Sequence, residues 1–468
     1  MRRNRWLPAL VLLAFLVAQL PLLAVGLAHD SGAVRRTAGL VVRPVAPREH
    51  APPDLPHPAD RRQGAWVRCW EPGTEDVDRP RSSTWLLWKA FATGSRAAGA
   101  RALDLGLMAI AIRTLSFVAS LFVVWWVVRD VPRPGFLAAT LTAGAFVLHV
   151  DVECAAHQAS LSFSGGFSLF LFLMVAALQR ARAAPRPETR AGAVVASLLA
   201  GAVHGTTVPL AGIGTYLALR VDLAGAPRGR RLPVRAACVA AALLATVAAL
   251  ASVRSPWHRV TAYHGVFCGA LSFSERPGDH VRRLGFAHEH EALVGRDASD
   301  PAAARFLRGP EAERLGLCLP LRVYLDEPGA GIRALAAVGD AFHERVPSLR
   351  RGDRAQPLLD EVPGRFLYGG LSGLSRALAP AGMGHWLLCG AVLALLHGWK
   401  TLRASAGAFA ARVFLWSSAA MAVVAVAVGG RWELTPHLFY ARLAWLAGTG
   451  LTLTLVLHAA IARVRPRF

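Results

Sequence analysis

Residues 105–128 read LGLMAIAIRTLSFVASLFVVWWVV, and this stretch decides the class of fold. It carries a single charge, Arg113, and as a helix it is long enough to cross the bilayer core, which needs about 20 apolar residues. The whole chain is also apolar, with 54% hydrophobic residues, 18% charged residues and a mean hydropathy of +0.38. This composition excludes a water-soluble globular protein of 468 residues and a disordered chain.

Other apolar stretches also predict membrane spans. The full set in chain order is 6–28, 105–128, 135–150, 161–178, 236–253, 385–399, 408–428 and 441–461. Residues 191–219 differ, because they are too long for one span and are interrupted by His204-Gly205 and Pro209. We interpret them as a broken, re-entrant helical hairpin, which is tolerated at membrane depth where protein or a water-filled cavity covers the free backbone groups. The predicted fold is an all-α polytopic membrane protein with about eight transmembrane helices, this hairpin and a small exoplasmic soluble domain.

The net charge of +22 comes almost entirely from arginine, since the only lysines are Lys89 and Lys400. The arginines collect in alternate connecting segments, namely 1–5, 129–134, 179–190, 220–235, 400–407 and 462–468. The short loops between them, 151–160 and 429–440, carry only Arg431. Because positive residues remain on the cytoplasmic side, both termini are predicted to be cytoplasmic, in a bacterial inner membrane. The basic charge is then explained by anionic lipid, and no nucleic-acid partner is expected.

The same pattern predicts five parts of the chain. They are an N-terminal transmembrane anchor (1–28), an exoplasmic loop with a juxtamembrane helix (29–104), a transmembrane bundle with the hairpin (105–253), an exoplasmic soluble region (254–384) and C-terminal transmembrane helices (385–468). For the first part the sequence leaves two interpretations open, a retained anchor or a signal cleaved before His29.

Carboxylates at the outer ends of spans are the first candidate functional residues. Asp30 follows the first span, and Asp151 and Glu153 follow the span at 135–150. A carboxylate at the membrane boundary is suited to act as a general base, or to hold a divalent cation such as Mg²⁺ or Mn²⁺ against a phosphate. The alternative is that these residues merely begin exposed loops.

Three further places carry residues suited to an anionic group. The loop 429–440 contains Arg431, Glu433 and His437, and arginine and histidine both bind phosphate oxygens. At His204 a half-helix end offers free N–H groups, although a tight glycine-mediated helix contact explains the same residues. Arg113 lies inside a span, where a charge is either functional or extends to a polar neighbour.

Three stretches resemble one known family. They are Tyr263-His264-Gly265-Val266-Phe267-Cys268-Gly269-Ala270-Leu271 with Leu284-Gly285-Phe286 and Gly295, then Glu433 with His437-Leu438-Phe439, and then Asp151 through Phe163. Together they are similar to membrane glycosyltransferases of the GT-C architecture, in particular the bacterial glycan biosynthesis hexose transferase family. The sequence departs from that family at Pro436, where a basic residue is expected, and at His204-Gly205, where a Ser-Lys pair is expected.

The resemblance implies glycosyl transfer on the exoplasmic face, from a polyprenyl-phosphate-linked sugar to a glycan acceptor. Asp30 or Asp151 would then be the catalytic base, with Glu153 as a metal ligand. The residues that would bind substrate or phosphate are Arg431, Glu433, His437, His204, Arg113, Tyr263 and His264. Two other interpretations stay open. One is a non-catalytic component of envelope glycan assembly, and the other is a transporter or flippase of an anionic substrate that uses Arg113 and the hairpin.

Overall fold

The computed structural model describes residues 7–24, 42–44, 69–72, 82–99, 103–132, 134–150, 166–220, 231–252, 258–298, 300–316, 318–343, 380–399, 404–429 and 434–464. Most of these residues are helical. In chain order the helices are α1 (Leu7–Ala24), α2 (Ser83–Ala97), α3 (Leu105–Val128), α4 (Gly135–Val150), α5 (Phe167–Ala183), α6 (Pro187–Gly201), α7 (Pro209–Leu219), α8 (Arg231–Ser252), α9 (His258–Tyr263), α10 (Pro277–Arg283), α11 (Pro301–Arg308), α12 (Leu319–Asp326), α13 (Pro328–His343), α14 (Met383–Gly398), α15 (Ala406–Gly429) and α16 (Leu434–Val464).

Short elements complete the described part. A π-helix (His264–Gly269) continues α9, and 3-10 turns lie at Gly205–Thr207, Ala270–Phe273, His288–Leu293 and Pro310–Arg314. Three short strands, β1 (Val42–Pro44), β2 (Cys69–Pro72) and β3 (Leu103–Asp104), form an antiparallel sheet in the order β1-β2-β3. Val42 pairs with Pro72, and Cys69 pairs with Asp104, so the sheet ends directly before α3.

The prediction of a helical membrane protein is confirmed. Among the residues that the structure describes, four helical stretches are long and apolar enough to cross a membrane, and they are Ile110–Val128, Arg231–Ser252, Ala406–Ala427 and Leu438–Ala462. Each of the other predicted spans also falls on a helix, and Leu10–Gln19, Gly135–Val150 and Met383–Gly398 are shorter apolar helices. The count of about eight spans therefore stays a prediction.

The antiparallel pair α15–α16 lies in the middle of the bundle. Helix α15 contacts α3, α5, α7 and α14 as well as α16. Small residues allow the close approach of the pair, since a Cβ at Gly448 on α16 would lie 2.9 Å from Leu415 Cγ on α15. Buried apolar side chains from all these helices form one continuous core, in which Trp445 and Phe414 are the largest fully buried groups of the pair.

The predicted break is present, with two short antiparallel helices, α6 and α7, on either side of a tight turn, and the re-entrant placement of this hairpin stays a prediction. Pro187 and Pro209 each stand at the start of a helix, where the missing N–H costs no hydrogen bond. The two helices pack closely because a Cβ at Gly201 would lie only 2.6 Å from Ala211 Cβ. We call the end of the bundle that carries the turn 204–207 the hairpin end.

The opposite end of the bundle carries arginines, and we call it the arginine end. Arg182 at the end of α5 donates hydrogen bonds to the backbone carbonyls of Ala404 (2.5 Å) and Ser405 (3.2 Å), just before α15 begins. Arg129 at the end of α3 lies over the ring of Trp126, 4.4 Å from its centroid. The described arginines at this end fit the predicted segregation of positive charge to one side of the membrane.

Residues 258–343 lie at the hairpin end and contribute to two cores. One is a small core of their own, built around Tyr263, Phe267, Phe286 and Phe306. The other is the core of the bundle, which includes the apolar face of α13. Arg442 on α16 joins the two parts, because its buried guanidinium donates from Nη2 to the carbonyls of Ala341 (3.0 Å) and Phe342 (2.5 Å) at the end of α13. A cation at a helix C-terminus satisfies its free carbonyls and its dipole.

Candidate functional site

The hairpin turn holds His204 in one tautomer when the ring is neutral. His204 has an extended backbone and caps the short 3-10 turn, where its Nδ1 accepts a hydrogen bond from the Thr206 backbone N–H (3.3 Å). A backbone N–H can only donate, so the proton of the neutral imidazole lies on Nε2. In return, the His204 backbone N–H donates to Thr207 Oγ1 (3.0 Å). These hydrogen bonds within the turn fix the orientation of the His204 imidazole.

Tyr440 brings three distant segments together at the hairpin end. The ring of His204 stacks on the ring of Tyr440 with 5.4 Å between centroids and 20° between planes. Phe167, the first residue of α5, meets the same ring edge-on at 4.8 Å. Tyr440 itself lies in α16, one helical turn after His437. The hairpin, the start of α5 and the start of α16 therefore share one aromatic contact.

Arg113 lies closer to the hairpin end than the sequence indicates. It is 1% exposed and lies in the third turn of α3, which begins at Leu105. Ser116, one turn further along α3, is within hydrogen-bond distance of Ser168 at the start of α5, with 3.0 Å between the hydroxyl oxygens. Because α3 and α5 run in the same direction, Arg113 is level with the outer edge of α5. This buried charge therefore lies in the half of α3 nearer the hairpin end.

Tyr263 and His264 have structural contacts in the small core. The Tyr263 hydroxyl is 3.1 Å from the Arg296 carbonyl oxygen, and Cys268 Sγ is 2.8 Å from the same oxygen. His264 Nε2 accepts a hydrogen bond from the Ala298 backbone N–H (3.2 Å). Burial of Tyr263, with the nearby negative charges, raises the pKa of its hydroxyl above the usual value. These side chains thus hold the loop 293–298, and both are almost fully buried.

The π-helix that contains His264 packs against the end of α15. Gly265 approaches α15 so closely that a Cβ there would overlap the carbonyl oxygen of Ala427 and lie 3.3 Å from Pro320 Cγ. Since α15 ends at Gly429, the Tyr263–Leu271 stretch lies beside the helix end that leads to Arg431 and Glu433 in sequence. The Tyr263–Leu271 stretch therefore lies beside the end of α15, the described helix that directly precedes the loop 429–440.

A second polar cluster, which sequence reasoning missed, lies between α12 and α13. Glu327 accepts hydrogen bonds from Ser274 Oγ (2.6 Å), the Glu275 backbone N–H (3.0 Å) and Arg333, and its carboxylate is 3.2 Å from His280 Nε2. Burial acts to raise the pKa of Glu327, but these hydrogen bonds outweigh it and hold the pKa at about 2. The cluster joins distant turns, so no local motif could have indicated it.

Several predicted site residues lie outside the described part of the chain. These are Asp30, Asp151, Glu153, Arg431 and Glu433, and of His437 only the backbone in the first turn of α16 is described. Among the residues that the structure describes, no three His, Cys, Asp or Glu side chains are grouped as metal ligands would be. Arg442, which was also missed, has the same signal as Arg113, a charge within an apolar helix.

No protein-family model matches the chain, and no curated protein or solved structure matches it.

Proposed function

We propose that this chain is an integral membrane glycosyltransferase that moves a sugar from a polyprenyl phosphate to an envelope glycan or another acceptor at the hairpin end. One observation supports the proposal. Tyr440 contacts both His204 and Phe167, and it lies one turn after His437, so segments with separately proposed functional residues meet at one end of the bundle. In our proposal this end is the exoplasmic face of a bacterial inner membrane, because the described arginines of the short segments that connect the helices lie at the other end.

The proposed reaction needs a base and a stabilised leaving group. A carboxylate, Asp30 or Asp151, accepts the proton of the acceptor hydroxyl while the acceptor oxygen forms a bond to the anomeric carbon. The bond from that carbon to the phosphate oxygen breaks, and its electron pair leaves on the polyprenyl phosphate. Because the sugar–phosphate bond is already activated, positioning and charge stabilisation account for most of the required rate.

The leaving phosphate is assigned to the basic side chains at the same end. Arg431 and His437 donate to its oxygens, and His204 presents an Nε2–H held by the hairpin turn. A divalent cation held by Glu153 would add Lewis-acid stabilisation, and the proposed proton transfer and bond changes do not depend on it.

The test measures transfer of a radiolabelled hexose from undecaprenyl-phosphate hexoses to the glycan acceptors in membranes that contain the protein. Asp30→Asn and Asp151→Asn each keep the shape of the side chain and remove the base. Loss of the true base should lower the rate by about 10²–10⁴-fold. Asp279→Asn, at an exposed position on α10, is the matched control and should leave the rate unchanged.

Full activity in both Asp30→Asn and Asp151→Asn would exclude the proposed base. If the wild-type protein binds the lipid-linked sugar without transferring it, the non-catalytic interpretation is correct instead. Uptake of a labelled anion into proteoliposomes that is lost in Arg113→Ala would favour the transporter interpretation instead.

A further inference from the structure

Three large apolar side chains are exposed at the corner between α12 and α13. Leu321 is 52% exposed, Leu325 is 79% exposed and Ile332 is 57% exposed. Leu321 and Leu325 are four residues apart and therefore share one face of α12. Pro320 and Val323, on the other side of the same helix, are buried. Helix α12 is thus amphipathic, and its exposed face has an apolar edge formed by Leu321 and Leu325 beside the exposed Arg322 and Asp326.

This corner lies beside the end of α15, which is one of the helices long and apolar enough to cross a membrane. Gly265 lies close both to the start of α12 and to the end of α15. A Cβ built on it would lie 3.3 Å from Pro320 Cγ on α12 and would overlap the carbonyl oxygen of Ala427 on α15. Ala427 is the last residue of the candidate span Ala406–Ala427. The start of α12 therefore lies beside the last turn of α15, which ends at Gly429.

Helix α13 contributes Ile332 to the same exposed apolar surface. Its residues Ala330, Ala334, Val338 and Phe342 form a stripe at helical spacing that is buried in the core of the bundle. Arg442, one turn inside the span Leu438–Ala462, holds the far end of α13. Ile332 is outside the buried stripe, so it is presented at the side of the bundle.

We propose that Leu321, Leu325 and Ile332 form an interfacial membrane anchor that rests in the boundary between the headgroups and the acyl chains of the bilayer that holds the bundle. An amphipathic helix at this depth removes its apolar face from water, and the exposed Arg322 beside it is placed to meet lipid phosphates. The acidic neighbour, Asp326, lies 3.8 Å from Arg283, which offsets its charge. The occupant of this surface is lipid, because the surface is continuous with the lipid-facing bundle. This anchor does not depend on the proposed reaction.

The test places the photo-crosslinking residue benzoylphenylalanine at position 321, 325 or 332 of the full chain, one position at a time. The protein is reconstituted in vesicles of phosphatidylethanolamine and phosphatidylglycerol, irradiated, and analysed by peptide mass spectrometry. The matched control is position 288, because His288 is 73% exposed in its side chain and its short helix packs against α10.

A lipid adduct at 321, 325 and 332 that is several-fold more abundant than at 288 is the expected result. Equal lipid adducts at 325 and 288 would overturn the proposal. So would crosslinks from 325 to a second copy of the chain, or to residues 344–379 of the same chain, because either one would be the true occupant of the surface.

Discussion

At the residue scale, Glu327 is the clearest case of a charge that the fold requires. Its carboxylate accepts hydrogen bonds from Ser274, Glu275 and Arg333 and so connects the turn before α10 with α13. Its pKa of about 2 in the folded protein is below the ordinary value of 4.5. The unfolded state therefore binds a proton more readily, so this contribution to stability is present above pH 4.5 and is lost as the pH falls toward 2.

Glu327→Gln should raise the local opening equilibrium around residues 270–283 by about ten- to a hundredfold at neutral pH, because hydrogen bonds to a charged acceptor are lost. It should also flatten the dependence on pH between 4.5 and 2. Hydrogen exchange of the full-length protein, corrected for intrinsic rates at each pH, measures both effects. Glu289→Gln, at an exposed position, should change neither. An unchanged profile in Glu327→Gln would show that the carboxylate charge is dispensable.

The sequence indicates buried charges better than it indicates their partners. Arg113 could be selected because one charge in an apolar run is conspicuous, and the same rule applies to Arg442. What Arg442 contacts could not be predicted, because the end of α13 lies about a hundred residues away in the chain. Neither Glu327 nor His280 belongs to a sequence motif that indicates their contact. Each resembles an ordinary surface residue, because the two turns that carry them come together only in the folded chain.

At the scale of elements, the hairpin was predictable and the π-helix was not. Residues 191–219 are too long for one span, and His204-Gly205 and Pro209 interrupt them, so a break could be predicted there. Gly201 allows α7 to pack closely against α6. The turn reaches the level at which α5 and α16 begin, since Phe167 and His204 contact the same Tyr440. The depth of the turn depends on packing against distant helices, so it could not be derived from residues 191–219 alone.

The close packing of α6 against α7 predicts that a larger side chain at their contact destabilises the protein. A Cβ at Gly214 would lie 2.6 Å from Ser197 Cβ and 3.2 Å from Met174 Sδ, so Gly214→Ala should destabilise the protein by about 1–3 kcal/mol. The double variant Ser197→Gly with Gly214→Ala moves the bulk to the other helix and should recover most of that loss. Thermal unfolding in detergent, arranged as a double-mutant cycle, measures the coupling.

The matched control for this cycle is Gly192→Ala on the same helix α6. Nothing lies within 4 Å of a Cβ built at Gly192, so the variant should be neutral or slightly more stable, because alanine is the better helix former. If the double variant is no more stable than Gly214→Ala alone, the close contact between α6 and α7 does not limit stability.

At the scale of the whole molecule, the described candidates lie at one end of the bundle, and the described arginines of the short segments between α3 and α4 and between α5 and α6 lie at the other, while residues 258–343 carry arginines of their own. Residues 258–343, Tyr440 and the hairpin turn lie at one end, and Arg182 and Arg129 lie at the other. The sequence predicted this separation from the alternation of arginine-rich segments, because charge placement is a local property of the loops. It did not predict that α13 would enter the core of the bundle, since that depends on Arg442 and on contacts far apart in the chain.

The separation predicts which side of the membrane a natural cysteine faces. Cys318 is exposed and free, at the start of α12 near the hairpin end. A membrane-impermeant maleimide added to intact cells should therefore modify Cys318, as read by mass spectrometry of its own peptide. The variant Arg186→Cys, built on Cys318→Ser, places a thiol before α6 at the arginine end, and it should be modified only after the membrane is permeabilised. Protection of Cys318 together with modification at position 186 in intact cells would invert the molecule and place the proposed site in the cytoplasm, where a lipid-linked donor is no longer the required sugar source.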